Sequence, residues 1–337
     1  MTDVRVTVGI PTFNRAGWLK AAIESVLTQT FTSFRLIVSD NASDDDTPDV
    51  VQSFTDERIR YVRSERNVGG IGNFNRLIAL AETEFLVLLP DDDMLYPGYL
   101  EAAVEVLERY ETVGLVHSAF DLLDARSRVI EDGVQPMRSR SAVTIEKREL
   151  ALERLMVSGW ALCFSSVAYR TKAIVDAGGL REKEEPFGDR QLWMRLALDW
   201  DFGYIAKPLV GFRTHPDTIS MRVAGRLGVT SDGPARGLLN SEIHFQRRMD
   251  FLDGASLDPG KTKRLRALAT LKLLADSAKL GLSSHKVATR LASLVRGYPR
   301  ILLRPALWRL VVAQLGGRRV RSALRGSSIR YRHILHG

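Results

Sequence analysis

One cysteine, Cys163, stands in 337 residues. That excludes an internal disulfide and any cysteine-built metal cage, and it suggests a reducing compartment. Long apolar runs are missing as well. The most apolar stretches of the tail are interrupted, near Ile301 by Arg304 and Pro305, and between Leu265 and Leu282 by Lys272, Asp276 and Lys279. None reaches the ~20 apolar residues that a spanning helix needs. The opening Met1-Thr2-Asp3-Val4-Arg5-Val6 has no charged segment followed by an apolar run, so no secretory signal is expected and the chain is expected to stay in the cytoplasm. No excess of glycine or proline and no internal repeat is present. With 45% hydrophobic and 26% charged residues, disordered, collagen-like and disulfide-scaffold classes are excluded.

Acid is nearly absent from one end. Residues 261–337 hold 18 Lys and Arg against the single Asp276, whereas residues 1–260 hold 30 against 39 Asp and Glu. The formal net charge of +8 therefore hides an acidic body and a strongly basic tail. At about 150 residues per domain, the length suggests about two domains.

What is present is an alternation of strand and helix signals. Val4, Val6, Val8 and Ile10 alternate with polar or small residues up to Pro11, a strand pattern. Trp18, Leu19, Ala22, Ile23, Val26 and Leu27 recur at helical spacing, followed by a strand at 34–38 and a helix starting near Asp46-Thr47-Pro48. A strand at 58–62, a helix at 74–81 and an apolar strand at 85–89 continue the pattern. Next come a helix around Leu100–Leu107 and a strand at 113–120. Further on, 126–141 is a hairpin or loop, 150–157 is helical and 161–169 is strand-like. A helix follows Gly188 and 202–212 is a strand. Residues 222–237, rich in Gly, Ser and Arg, are expected to form a loop, and the chain is all-helical from about 240. The alternation predicts an α/β fold of βαβ units with a mostly parallel sheet, whose ligands bind at the carboxyl ends of the strands. The polar clusters after Ile10, Val38 and Leu89 all fall there and are expected to share one crevice.

Asp91, Asp92 and Asp93 end a buried strand. Three adjacent carboxylates there are costly unless a cation or hydrogen bonds compensate them. A divalent ion is one remedy, and oxygen ligands favour Mg²⁺ or Mn²⁺ over Zn²⁺. A solvated acidic turn is the plainer alternative.

Five stretches carry a resemblance. They are Val8-Gly9-Ile10-Pro11-Thr12-Phe13-Asn14-Arg15, Ser25-Val26-Leu27-Thr28-Gln29-Thr30-Phe31, Ile37-Val38-Ser39-Asp40-Asn41-Ala42-Ser43-Asp44-Asp45-Asp46-Thr47, Asn67-Val68-Gly69 and Leu89-Pro90-Asp91-Asp92-Asp93. In this order the sequence resembles a family 2 glycosyltransferase over about the first 215 residues. The resemblance implies a GT-A fold, a Rossmann-like α/β nucleotide-diphospho-sugar transferase, here with a basic C-terminal α-helical extension. On that basis residues 1–235 form the catalytic domain (1–110 binding the nucleotide sugar, 111–235 the acceptor part) and 240–337 the helical basic region.

The same resemblance assigns roles by position. Pro11, Thr12, Phe13 and Asn14 would cradle base and ribose, and Asp40 would read the base; a capping or turn role suits Asp40 equally. Asp93 would hold Mn²⁺ or Mg²⁺ bridging the donor diphosphate, Asp92 would contact ribose or a metal-bound water, and Asp91 completes the acidic spacing. Pro90 replaces an acid often found in this motif. Asp189, opening the helix with Leu192-Trp193-Met194-Arg195-Leu196, would be the base that takes the acceptor proton; an acid in a first turn is also what the helix dipole favours. His215 would be a metal ligand or phosphate contact, with Arg222 and Arg226 in the loop behind it. Asn67 and Asn73, together with Asn75 beside Gly69, Gly70 and Gly72, would contact the nucleotide sugar or simply cap a helix starting near Phe74.

The activity so implied is metal-dependent, inverting transfer of a sugar from a nucleotide-diphosphate donor to a hydroxyl of a glycan or lipid-linked acceptor, in cell-surface polysaccharide or glycolipid synthesis. A non-catalytic sugar-nucleotide-binding protein is one alternative. A sugar-phosphate nucleotidyltransferase is another, against which stands the lack of a Gly-rich, Lys/Arg-bearing loop after the first strand. In the tail, Leu303, Leu307, Leu310 and Val311 can share a helical face flanked by Arg300 and Arg304, with Trp308 at an interface. That suits peripheral contact with anionic lipid at the inner face of the plasma membrane, or packing on the body or a second copy as a homo-oligomer. No zinc finger or RNA-binding aromatic motif accompanies the basic charge, which argues against nucleic acid as partner.

Overall fold

The computed structural model describes residues 4–137, 139–157, 162–184, 188–215 and 234–279, with side chains described for 244–273 of the last stretch. The chain separates into two compact units, Met1–Leu155 with Gly159–Arg222, and Met156–Ser158 with Val223–Gly337.

The first unit is mixed α/β around a central, mostly parallel sheet. Its first half alternates regularly: β1 (Val6–Thr12), α1 (Ala16–Leu27), β2 (Phe34–Asp40), α2 (Thr47–Gln52), β3 (Ile59–Arg63), α3 (Gly69–Leu80) and β4 (Phe85–Leu88). The sheet order β3-β2-β1-β4 is wholly parallel. Parallel strands covered by helices must be apolar on both faces, and β1 and β4 are buried along almost their whole length. The α1 stripe Leu19, Ala22, Ile23 and Val26 is buried, each residue at 0% exposure. On the other side α3 comes close, because Gly9 has no side chain: a Cβ there would lie 3.0 Å from Leu77 Cδ2.

The second half continues with β5 (Met94–Leu95), α4 (Tyr99–Arg109), β6 (Val113–Leu123), β7 (Val129–Val134), β8 (Val143–Glu146) and α5 (Arg148–Val157). A 3₁₀ turn (Phe164–Ser166) then precedes β9 (Val167–Arg170), α6 (Thr171–Asp176), α7 (Gly188–Asp199) and β10 (Asp201–Arg213). Here β6 and β10 pair in parallel, while β9 joins β4 to β6 antiparallel and β5, β7 and β8 attach antiparallel. In the second unit α8 (Pro234–Gly254) packs with α9 (Pro259–Lys279), tied by an Arg266–Asp253 ion pair.

Most expected elements are found, and the departures have physical causes. The helix expected near Phe74 begins at Gly69, with the glycines forming its first turn; Gly69 itself enters at φ +79. Within 126–141 the hairpin form is present as β7. The strand expected at 161–169 is shortened, because Phe164–Ser166 winds as a 3₁₀ turn before β9. The two-residue β5, the four-residue β8 and the six-residue α6 are too short to show a period. The loop expected at 222–237 lies outside the described residues up to 233, and helix α8 begins at Pro234, a residue suited to a first turn. Arg222, Arg226 and the tail helix around Leu303–Val311 also lie outside the described residues. Among those described, no helix is long and apolar enough to cross a membrane.

Candidate functional site

The strand order turns at β1, with β2 on one side and β4 on the other, so the loops leaving β1 and β4 diverge at a switch point of the sheet. The three polar clusters meet there. Asn41 N–H donates to Thr12 C=O (3.0 Å), Asn14 N–H to Ser43 Oγ (2.9 Å) and Asp44 N–H to Asn14 Oδ1 (2.9 Å). Asn14 holds φ +54, a left-handed conformation that asparagine tolerates. Phe13, beside it, leaves its ring 41% exposed, while Pro11 and Thr12 close the end of β1.

Arg15, at the start of α1, reaches across to the loop after β4. Its Nη1 donates to Asp92 Oδ2 (2.6 Å) and Asp91 Oδ1 (3.2 Å). Asp93 turns inward: Oδ2 accepts from Ser165 Oγ–H and Oδ1 from Arg213 N–H (2.8 Å). The Arg213 side chain donates through Nε to Asp92 C=O (2.6 Å) and through Nη1 to Ser127 Oγ (2.6 Å). His215 Nε2 lies 3.1 Å from Asp92 Oδ2. Trp18 is the platform for this end of β10, with His215 stacked on it at 4.9 Å and the Arg213 guanidinium also 4.9 Å from its ring centre. Behind the loop, Ser25 Oγ accepts from Leu95 N–H (3.1 Å), and Gln29 donates to Tyr96 C=O (2.9 Å) and accepts from Leu100 N–H (3.1 Å).

Burial sets the electrostatics. It raises the Asp91 carboxyl to about 7, against the opposing charge of Arg15. It raises Asp93 well above the usual carboxylate range, the charge of neighbouring Asp92 adding to the effect. Burial works against the Arg15 charge too, yet Asp91 and Asp92 outweigh it and its pKa is raised. A site of this kind favours any further cation that brings its own anionic ligands.

Not every expected residue faces the crevice. Asn73 is a correction: it is 2% exposed, with Nδ2 donating to Ser39 C=O (2.8 Å) and Oδ1 accepting from Ser39 Oγ–H (2.6 Å). Both amide atoms fasten α3 to β2, so the Asn73 side chain faces inward instead of toward the crevice. Asn67 is exposed, its Oδ1 accepting from Asn41 Nδ2 and Gly69 N–H, both at 2.8 Å. Asn75 pairs with the Leu180 backbone. Asp40 is fully buried. Its Oδ1 accepts from Ser43 N–H (2.8 Å) and its Oδ2 from Tyr61 O–H (2.6 Å), with Arg63 3.4 Å away. In this conformation that carboxylate serves the turn. Asp189 opens α7, its Oδ1 accepting from Arg190 N–H (2.7 Å); burial raises its pKa, a shift toward the range of a general base.

A divalent ion fits this donor set in one specific manner. Among the described residues no three His, Cys, Asp or Glu side chains gather into a cage. The Asp92 carboxylate with His215 Nε2 is the partial protein set that suits an ion taking its remaining ligands from phosphates and water, and the imidazole suits Mn²⁺ better than Mg²⁺. It is Asp92, not Asp93, that His215 meets. Arg15, Trp18, Ser165 and Arg213 complete the site without having been singled out for it. Arg15 ends the Val8–Arg15 motif and Arg213 lies two residues before His215, whereas nothing local marks Ser165.

Comparison with known proteins gives relatives in sequence and in fold. The model of glycosyl transferase family 2 matches residues 7–162. A Campylobacter jejuni GalNAc(5)-diNAcBac-PP-undecaprenol beta-1,3-glucosyltransferase is 39% identical over 30% of this chain and 34% of its own length. An Escherichia coli UDP-Glc:alpha-D-GlcNAc-diphosphoundecaprenol beta-1,3-glucosyltransferase is 28% identical over 38% of this chain and 51% of its own. The chain thus spans about half the length, or less, of these relatives. In fold it is similar to Staphylococcus aureus TarS 1–349 in complex with UDP-GlcNAc, with TM-score 0.58 and 16% identity over 96% of this chain and 92% of the other.

Proposed function

Residues 7–162 belong to glycosyl transferase family 2, and from that premise we propose that the crevice transfers a sugar, with inversion, from a nucleotide-diphosphate donor to a hydroxyl of a glycan or lipid-linked acceptor. The observation that carries this reading is the convergence of the Pro11–Asn14 loop, the Asp91–Asp93 loop and His215 at the switch point of the sheet. Lipid-linked acceptors enter from the diphosphoundecaprenol substrates in the names of the two bacterial relatives. The basic tail is the segment that would bring the chain to the cytoplasmic face of such a membrane.

In this reading Phe13 offers its exposed face to the base, and Asn14 and Ser43 hold the loop that carries it. Asp92 and His215 would hold Mn²⁺ or Mg²⁺, whose chemistry when bound is to neutralise charge on the leaving diphosphate. Asp93 keeps the loop in place through Ser165 and Arg213. Asp189 accepts the proton of the acceptor hydroxyl as its oxygen bonds to the anomeric carbon. The carbon–oxygen bond to the diphosphate breaks, and its electron pair leaves with the nucleotide.

The test is a panel of UDP- and GDP-sugars with and without Mn²⁺, read by thermal shift and by release of nucleoside diphosphate. At least one donor is expected to raise the melting temperature and to be turned over in a chelator-sensitive way, and Asp92→Asn should lose that turnover. If no nucleotide sugar binds, the reading fails.

A further inference from the structure

We propose that Arg15 is a built-in counter-cation of the acidic loop, which holds the place of the divalent ion until a donor diphosphate draws it away. The inference rests on the metal-dependent reading above and adds a competitor within the chain itself.

Asp92 Oδ2 receives Arg15 Nη1 at 2.6 Å and His215 Nε2 at 3.1 Å, and the same Nη1 reaches Asp91 Oδ1 at 3.2 Å. The Asp92 oxygen that would ligate a divalent ion is therefore already engaged by a guanidinium. A guanidinium satisfies buried carboxylates without bringing ligands of its own, so an ion arriving alone must displace Arg15 and leave it in a largely buried place, its side chain 13% exposed. A diphosphate changes that balance. It supplies oxygen ligands for the ion and a bidentate partner for the released guanidinium. Arg15 also stands at the amino end of α1, where an anion is favoured and a cation is not. The helix thus opposes Arg15 while it faces the carboxylates alone and assists once a phosphate lies beside it.

The consequence is thermodynamic coupling. Ion and nucleoside diphosphate each relieve the contact that the other must break, so each raises the affinity of the other, reciprocally. The ion then stays with the donor instead of resting in the empty enzyme.

The experiment is Mn²⁺ titration of the full chain followed by electron paramagnetic resonance of the free ion, with and without UDP or GDP, for wild type, Arg15→Gln and Arg15→Lys. Arg15→Gln is expected to bind Mn²⁺ without nucleotide about tenfold more tightly than wild type, and to lose most of the coupling between ion and nucleotide. Arg15→Lys, which keeps the charge, should stay near wild type. Thermal melts give a second readout that needs no nucleotide. Arg15→Gln should melt lower than wild type and recover with Mn²⁺ alone, whereas wild type should be unmoved by Mn²⁺ alone. Equal Mn²⁺ affinity in wild type and Arg15→Gln, with nucleotide-dependent binding in both, would overturn the role of Arg15 and leave the metal-dependent reading standing. Absence of Mn²⁺ binding in every protein, with nucleotide present, would sink both.

Discussion

The two halves of the sheet hold their polar groups in opposite ways. In the parallel half, each carboxylate of Asp91, Asp92 and Asp93 meets a donor from a distant element, namely Arg15, Ser165, the Arg213 backbone or His215. In the mixed half, His117 on β6 and Tyr204 on β10 lie 1% and 0% exposed with their rings 4.9 Å apart. Among the described residues, neither the two His117 ring nitrogens nor the Tyr204 hydroxyl has a hydrogen-bond partner. Burial pushes the His117 pKa well down, Arg154 adding to the effect. Charge is tolerated inside this protein where a partner compensates it, as Arg154 does for Glu146 in the mixed half, whereas His117 and Tyr204 stay neutral at a cost in stability.

The widest gap between the halves is catalytic. Asp189→Asn is expected to lower turnover by about 10³-fold while the donor still binds; single-turnover kinetics beside a donor titration measure both, and unchanged turnover would remove Asp189 from the mechanism. In wild type the acid limb of the kcat profile should be displaced upward from that of a free aspartate, following the pKa of Asp189 that burial raises.

Next come changes that remove one partner of a buried group. Arg154 grips Glu146 through both oxygens, at 2.9 and 3.0 Å, and the two side chains are only 5% and 11% exposed. Arg154→Met should cost about 3 kcal/mol in urea unfolding, because it strands a carboxylate. Asp93→Ala leaves the Ser165 hydroxyl and the Arg213 N–H without their acceptor, for a loss of about 2 kcal/mol. Asp93→Asn, which keeps an acceptor, should recover part of that loss.

The opposite sign is expected where polar atoms lack partners. His117→Leu should raise stability by about 1 kcal/mol, since it removes a desolvated ring that gains nothing in return. A loss on unfolding by urea would mean that the ring is satisfied after all.

Asp91 adds a pH slope. Asp91 titrates at about 7 in the folded chain and near 3.9 when unfolded, so between those values the folded state binds the extra proton. Stability without ion or nucleotide should fall as pH rises through that window and level off above it. Asp91→Asn should flatten the melting profile between pH 5 and 8.

The same contrast separates what was legible in the sequence from what was not. The parallel half was legible almost element by element, because β1, α1, β2 and β4 each bury a regular apolar pattern. The mixed half was harder to read. Strands of two and four residues show no period, and β10 slips register against β6 at three places, so its alternation is broken. Within the site, the acidic loop, the Pro11–Asn14 loop and His215 stood out as residue types in a recognisable order, and Asp189 entered through the resemblance alone. Asn73 misled, since an asparagine beside glycines resembles a ligand contact as closely as it resembles the internal fastener it proves to be.

By itself the sequence determined the α/β alternation, the gathering of polar clusters at the carboxyl ends of the strands, the placing of three carboxylates at a strand end, and the division between acidic body and basic tail. These depend on periodicity and turn chemistry, which act within about a dozen residues. Only the tertiary structure decided that His215 meets Asp92, 123 residues away in the chain, that Asp93 is held inward by Ser165 and Arg213, and that Arg15 bridges Asp91 and Asp92. Such pairings follow from strand order and from the desolvation of particular charges, and both exist only once the sheet has assembled.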